Sequence, residues 1–277
     1  MVKYADPAKS YVLGHSDKEL ERLNAQAQLI DPITRQFFRE AGLVTGMRVL
    51  DIGSGAGHVA VLAAELVGDA GEVTGTDTAP TAIARARARA EALSLNNVSF
   101  REGDPANMDF DQPFDAVIGR YVLMFQPDPA AMLRAVARHV RSGAVIAFHE
   151  PDWVGVRSSP PVPLYDECCR WIVETMRLRG ADMNMGIKLC GTFIAAGLPA
   201  PSMRLQSLIA GGSESRDQVH FKTDLAETLV AEMQRLGVAN AEQIGIETLA
   251  DRIANEVVAR HSVIVGRSEI CAWCRAA

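Results

Sequence analysis

The chain has 277 residues, 48% of them apolar, and a net charge of −6. That length and composition suit one large α/β domain with embellishments, or a domain with a lid, with ample material for a core. No apolar run nears the roughly 20 residues of a membrane helix, the N-terminus lacks a secretory apolar core, and the acidic balance speaks against nucleic acid, so the expectation is a cytoplasmic protein with neither membrane nor nucleic-acid partner.

Residues 1–45 carry no strand pattern. Ser16, with Glu19 three residues on, forms a capping-box signature for a helix whose apolar positions Leu20, Leu23, Ala27 and Ile30 recur at helical spacing. Asp31-Pro32 is expected to break or kink it, with "ITRQFFREAGL" continuing as helix to Gly42. "MRVLDIG" then reads as a buried strand and "HVAVLAAELVG" as a helix ending at Gly68. "GEVTGTD" is a second strand, and "APTAIARARARAEALSL" a second helix with Pro80 near its start, where proline is tolerated. Its Arg85, Arg87 and Arg89 form the one candidate basic patch and read as a solvated helix face. "NVSFREGD" is a third strand, "PFDAVIGRYVLMF" holds a fourth, "DPAAMLRAVARHV" is a helix capped by Asp128, and "GAVIAFHEP" is a fifth strand. Strands alternating with helices predict a doubly wound parallel sheet.

After residue 155, "SSPPVP" reads as a loop, followed by helices "LYDECCRWIVETMRLRG" and "MGIKLCGTFIAAGL". Two late strands, "PSMRLQSLIAG" and "RSEICAWCRA", enclose the loop "AGGSESRDQVHF" and the helices "DLAETLVAEMQRLGV" and "EQIGIETLADRIANEVVAR". The expected organisation is an N-terminal helical cap over 1–45, a ligand-binding core over 46–152, a helical lid over 153–200, and a C-terminal part of the core sheet with inserted helices over 201–277. The five cysteines are odd in number and irregular in spacing, which is no disulfide framework. Cys271 and Cys274 lie three apart on a strand and face opposite sides, so no zinc site is expected. No set of acids and an amide reads as a magnesium site, and no metal is expected.

Gly53, Gly55 and Gly57 follow the first strand and define a ligand turn. A phosphate loop needs a lysine and a hydroxyl after its last glycine, and here His58 and Val59 follow. The dinucleotide pattern needs a third glycine where His58 stands. Asp51, two residues before the first glycine, suits a ligand carrying an ammonium and a sulfonium better than a pyrophosphate, because like charges repel. Asp77, ending the second strand, can accept both ribose hydroxyls, a feature shared with NAD enzymes. Asp104, ending the third, can accept from an adenine amino group or cap a helix start at "DPANM".

The stretches "VLDIGSGAG", "VTGTD", "REGDPANM" and "FDAVIGRYVLMFQPDPAAMLRAVARHVRSGAVIAFHEP" together resemble the class I S-adenosylmethionine-dependent methyltransferases over about residues 45–152. The small-molecule type similar to ubiquinone and menaquinone biosynthesis methyltransferases is the nearest in character. The resemblance implies a Rossmann-like, seven-stranded, mostly parallel sheet with its last strand antiparallel, and S-adenosyl-L-methionine as cofactor with S-adenosyl-L-homocysteine as product. It implies that Gly53, Ser54 and Gly55 bring backbone against the methionine and ribose, with Asp51 reaching the ammonium. Asp77 would hold the ribose with Thr78 nearby, Asp104 the adenine amino group, and Pro105-Ala106 the adenine ring. Arg120 would offer a backbone carbonyl to the ammonium, Tyr121 would stand near the methyl group, and Tyr11 and Gln26 would close the site. His149 is the first choice for a general base, before Glu150, Asp152 and His15.

The expected reaction is methyl transfer to an O, N or C atom of a small-molecule acceptor, secondary metabolites included, with a homo-oligomer allowed. Acceptor specificity is expected in the lid, in "AGGSESRDQVHF" and in the methionine-rich "RGADMNMGIKL". Two alternatives remain beside it: a protein that binds S-adenosylmethionine for a purpose other than transfer, and an NAD-dependent oxidoreductase, against which His58 and Asp104 argue. Arsenite methylation would need converging thiols, and only Cys168, Cys169 and Cys190 lie in the lid.

Overall fold

The computed structural model describes residues 17–277; Tyr11, His15 and the expected capping box at Ser16 lie outside them. The first helix, α1 (Asp17–Ala41), runs unbroken through Pro32, where a break or kink was expected. An interior proline costs a helix about 3 kcal/mol. Ile30, Ile33, Phe37 and Phe38 flank it and are almost wholly buried. Burying each stabilises by about 1.5–3 kcal/mol, so packing outweighs the proline.

The next elements follow the expected alternation: β1 (Arg48–Ile52), α2 (His58–Val67), β2 (Glu72–Asp77), α3 (Pro80–Ala92), β3 (Val98–Glu102), β4 (Phe114–Arg120), α4 (Pro129–Val136) and β5 (Val140–Asp152). Gly68 ends α2, and Asp128 caps α4 through Ala131 N–H at 2.9 Å. The strands pair parallel in the order β3-β2-β1-β4-β5. Val49, Leu50, Ile52, Ala116, Val117, Ile118 and Ala144 to Phe148 are buried, because helices cover both faces of a parallel sheet. The order reverses between β1 and β4, and such a switch point opens a crevice at the carboxyl ends of those two strands.

The remaining elements are β6 (Arg157–Ser159), α5 (Pro163–Leu178), α6 (Met185–Ala195), β7 (Ser202–Gly211), α7 (Arg216–Arg235), α8 (Ala241–Ile244), α9 (Ile246–Ala259) and β8 (Val263–Arg275). Among the described residues eight strands are present where seven were expected. The extra one is β6, inside the stretch read as a loop; its three residues pair antiparallel with Val263–Val265. Helix α7 begins at Arg216, inside the segment read as a loop, after a short 3-10 turn over Gly212–Ser215. The final helical stretch is two helices, because Gly245 sits between them in the left-handed region at φ 52.

The chain forms two compact units. The first takes Ala27–Glu150, Met185–Leu205 and Glu269–Ala277, and holds β1 to β4, most of β5 and the C-terminal half of β8. The second takes the described residues up to Gln26, Pro151–Asn184 and Gln206–Ser268. Within it α5 and α9 pack on α7, and β6 and β7 pair with the N-terminal half of β8.

Candidate active site

Three glycines let the chain turn sharply out of β1. Gly53, Gly55 and Gly57 have φ of 61, 51 and 84, a region that costs a residue with a Cβ about 1–2 kcal/mol. They differ in surroundings. A Cβ on Gly53 would meet Val122 Cγ2 at 2.7 Å, and one on Gly57 would press Phe100 and Ala86 at 3.0 and 3.1 Å. A Cβ on Gly55 would meet nothing within 4 Å. Gly55 therefore faces open space, at the switch point where a ligand belongs.

Hydrogen bonds tie this turn to β2 and α3. Ser54 N–H donates to Thr76 O at 2.8 Å, and Arg89 Nε to Ala56 O at 3.0 Å. Arg87 donates to Phe100 O at 2.8 Å, so two of the three arginines read as a solvated face are tied to backbone. The Asp77 carboxylate accepts from Gly55 N–H through Oδ2 and from Ala79 N–H through Oδ1, both at 2.9 Å. Thr78 follows it directly. Asp104 caps a 3-10 turn over Pro105–Asn107, accepting from Ala106 N–H and Asn107 Nδ2 at 2.9 Å. The carbonyls of Pro105 and Ala106 are held by His139 and Arg138 at 2.7 and 2.8 Å.

Asp51 is the unusual group. It is 1% exposed, and neither carboxylate oxygen has a hydrogen-bond partner; Ser54 Oγ, also buried, has none either. Burial pushes the Asp51 carboxyl well above its usual range, Arg120 pulls it part of the way back, Asp77 raises it again, and the backbone N–H of Ala60, the smallest influence, lowers it. A buried acid without a well-formed hydrogen bond is costly, and a cationic donor from a ligand would relieve it. His58 cannot be that cation, because burial, then Arg89 and Arg120, hold its imidazole down at about 3.

Beyond β4 the sequence reading meets its largest differences. The Arg120 guanidinium donates through Nη1 to Asp31 Oδ1 at 2.7 Å and to Thr34 Oγ1 at 2.9 Å. Tyr121 adopts φ 58 and donates its phenol to Glu269 Oε2 at 2.7 Å. His149 is 0% exposed; Nδ1 meets Thr34 Oγ1 at 3.1 Å and Nε2 meets Glu269 Oε2 at 2.9 Å. At that depth it is an internal link rather than a group that touches a ligand. Glu150 is structural, accepting from the backbone of Val122, Leu123 and Met124 at 2.8, 2.7 and 3.3 Å. Its carboxyl is pushed up to about 8 by burial, against the pull of those three donors and with a further rise from Glu269.

Gln26 and Asp152 belong to the second unit, where Gln26 Oε1 accepts from Arg22 at 3.1 Å and Asp152 Oδ1 from Val154 N–H at 3.1 Å. Glu269, Thr34 and Asp31 were not singled out from the sequence. The signal for Glu269 was an acid within the apolar run of "RSEICAWC". All five cysteines are free, and among the described residues no group of three or more His, Cys, Asp or Glu side chains is placed to hold a metal.

Residues 43–184 match the family model described as a methyltransferase domain, and the chain belongs to that family. It is 37% identical over 137 residues to the aklanonic acid methyltransferase DauC of Streptomyces sp. strain C5, covering 49% of this chain and 61% of that one. It is 35% identical over 195 residues to the 2-phytyl-1,4-naphtoquinone methyltransferase of Synechococcus elongatus, covering 68% of this chain and 79% of that one. The chain thus spans about three fifths of the first relative's length and about four fifths of the second's. Among solved structures, a methyltransferase of Geobacter sulfurreducens in complex with S-adenosyl-L-homocysteine aligns at a TM-score of 0.50 and 20% identity, over 88% of this chain and 90% of that one. That likeness concerns the fold. No helix among the described residues is long and apolar enough to cross a membrane.

Proposed function

We propose that the protein binds S-adenosyl-L-methionine at the glycine turn and transfers its methyl group to a small phenolic or otherwise acidic aromatic molecule. The observation that carries the cofactor assignment is Asp51, a buried carboxylate without a well-formed hydrogen bond beside a glycine that leaves room for a ligand. The cofactor's ammonium is the cationic donor that the acid lacks, and a pyrophosphate would repel it. Bound there, the cofactor supplies an electrophilic methyl group.

The residues divide the work. Gly53, Ser54 and Gly55 bring backbone against the methionine and ribose. Asp77, fixed by two N–H groups, keeps lone pairs for the ribose hydroxyls. Thr78 follows it on the ribose side, Asp104 meets the adenine amino group, and Pro105 and Ala106 line the ring. Arg120 contributes its backbone carbonyl, its side chain being held by Asp31 and Thr34. Tyr121 stands at the acceptor, with His149 behind it. The acceptor class is suggested by the relatives' names, one for aklanonic acid and one for a 2-phytyl-1,4-naphtoquinone. Arsenite is not favoured: of the three lid thiols, Cys168 and Cys169 are buried and their titration is raised, that of Cys169 to about 11, away from the thiolate that binding needs.

Calorimetry with S-adenosylmethionine, S-adenosylhomocysteine and NAD tests the cofactor, repeated on Asp77→Ala. Micromolar binding of the first two, lost in the variant, with no heat from NAD, is expected. Binding of NAD alone would overturn the reading. A panel of naphthohydroquinones and hydroxylated aromatic acids, followed by mass spectrometry for a gain of one methyl, tests the acceptor.

A further inference from the structure

Six side chains form one continuous hydrogen-bonded chain in the first unit. Asp31 accepts from Arg120, Arg120 donates also to Thr34, Thr34 meets His149, His149 meets Glu269, and Glu269 accepts from Tyr121, with links of 2.7, 2.9, 3.1, 2.9 and 2.7 Å. The residues come from α1, the ends of β4 and β5, and β8. One oxygen, Glu269 Oε2, takes both the phenol and the imidazole. A carboxylate only accepts, so with Glu269 ionised the His149 ring proton sits on Nε2. The ring edges of Phe37 and Tyr121 close on His149 at centroid distances of 5.0 and 5.5 Å and keep water from that side.

Tyr121 is held at φ 58, in the left-handed region that is strained for a residue other than glycine. Its N–H on His149 O at 2.9 Å and its phenol on Glu269 help to hold it there. Simple packing does not require a tyrosine with positive φ whose one donor is aimed at a carboxylate that is 1% exposed. Unlike Thr34, His149 and Glu269, Tyr121 is only half-buried, so a ligand can reach it.

We infer that Glu269 is a positioning residue for methyl transfer and the destination of the acceptor's proton, acting through Tyr121. The inference rests on the methyltransferase reading above. As the acceptor's oxygen bonds to the methyl carbon, its proton moves to Tyr121 Oη and the phenol's own proton moves to Glu269 Oε2. The electron pair of the broken carbon–sulfur bond stays on sulfur, which loses its positive charge, and Glu269 ends neutral. His149 Nε2–H, oriented by Thr34 and through it by the Arg120–Asp31 pair, keeps Glu269 ionised in the resting state. Glu150 on β5, whose own carboxyl Glu269 helps to raise, is the nearby acid that opposes that ionisation. Cys271, two residues along β8, stays a neutral thiol, its titration raised by burial.

The test uses the full chain, with 1,4-naphthohydroquinone and S-adenosylmethionine as probes. Carbon-13 spectra of glutamate-labelled protein, assigned by the signal lost in Glu269→Gln, report whether Glu269 is ionised at neutral pH. The expected result is an ionised Glu269, with Glu269→Gln and Tyr121→Phe each losing about 100-fold or more in kcat. Affinity for S-adenosylhomocysteine should stay within about twofold, since 1.4 kcal/mol of lost binding would be tenfold. The wild-type rate should level off with rising pH. That of Glu269→Gln should keep climbing, because only the phenol's own ionisation is left to remove the proton. A Glu269 still protonated at neutral pH, or a Glu269→Gln variant with the wild-type rate and pH profile, overturns the inference. A wild type that binds the cofactor yet leaves the hydroquinone unmethylated counts against the phenolic acceptor, and the carbon-13 result then decides for or against Glu269 by itself.

Discussion

Gly53→Ala and Gly55→Ala form a matched pair that separates what holds the turn from what the turn holds. Both glycines lie in the left-handed region, at φ 61 and 51, so each alanine carries about 1–2 kcal/mol of backbone strain. Only at Gly53 does the new methyl also strike a neighbour, Val122 Cγ2 at 2.7 Å. Overpacking of that kind costs about 1–3 kcal/mol more. Val122 is buried and its N–H is fixed on Glu150 at 2.8 Å, so it yields little. Gly53→Ala should therefore lose about 2–5 kcal/mol in urea unfolding, and Gly55→Ala only about 1–2 kcal/mol. Affinity should rank the other way relative to stability. The open space at Gly55 is where the cofactor is proposed to lie, so Gly55→Ala should weaken S-adenosylhomocysteine by about tenfold or more, the equivalent of about 1.4 kcal/mol. Urea melts paired with calorimetry check both numbers. A Gly55→Ala protein that binds like wild type, or one as unstable as Gly53→Ala, would refute the reasoning.

Three more outcomes are expected. Asp51→Asn removes a buried acid whose titration is raised in the fold; such a group subtracts stability as pH rises from its unfolded value through its folded one, so the ligand-free variant should unfold later than wild type at neutral pH in a thermal melt. The same variant should bind S-adenosylmethionine at least about tenfold more weakly by calorimetry, having lost the ammonium's counter-charge. Glu150 contributes the same sign of pH dependence, its stability being full below 4.5 and falling as pH climbs to about 8; Glu150→Gln keeps an oxygen for the Val122 and Leu123 N–H groups and should flatten that part of the profile. Asp128→Ala removes the cap of α4 and should cost about 1 kcal/mol in denaturant, with no change in cofactor affinity.

The first five strands and their helices could be read from the sequence because apolar runs, glycines and prolines mark them locally. The same locality made Asp51, Asp77 and Asp104 legible, since each ends or nearly ends a parallel strand. What was not legible depends on partners far along the chain. Pro32 stays helical because Phe37 and Phe38 are buried around it, and β6 exists because β8 offers it an edge 106 residues away, at Arg157↔Val265, Ser158↔Ile264 and Ser159↔Val263. Arg120 looked like a residue that offers its carbonyl, and nothing beside it announced that Asp31 would take its side chain. His149 looked like a base at a strand end, and only the fold reveals that both ring nitrogens are occupied 115 and 120 residues away.

The interleaving of the two units has a consequence for synthesis. The chain passes into the first unit at Ala27, leaves after Glu150, returns at Met185, leaves after Leu205 and returns at Glu269. A nascent chain that has emerged through residue 150 already carries every acid of the proposed cofactor pocket. It lacks the carboxylate that Tyr121 and His149 share, which β8 supplies 119 residues further along the chain. The proposed grasp of the nucleoside and the proposed control of the proton therefore rest on stretches that are made at different times. Truncations before and after Glu269–Ala277 should separate them, with the proposed cofactor acids present in both and the shared carboxylate only in the longer.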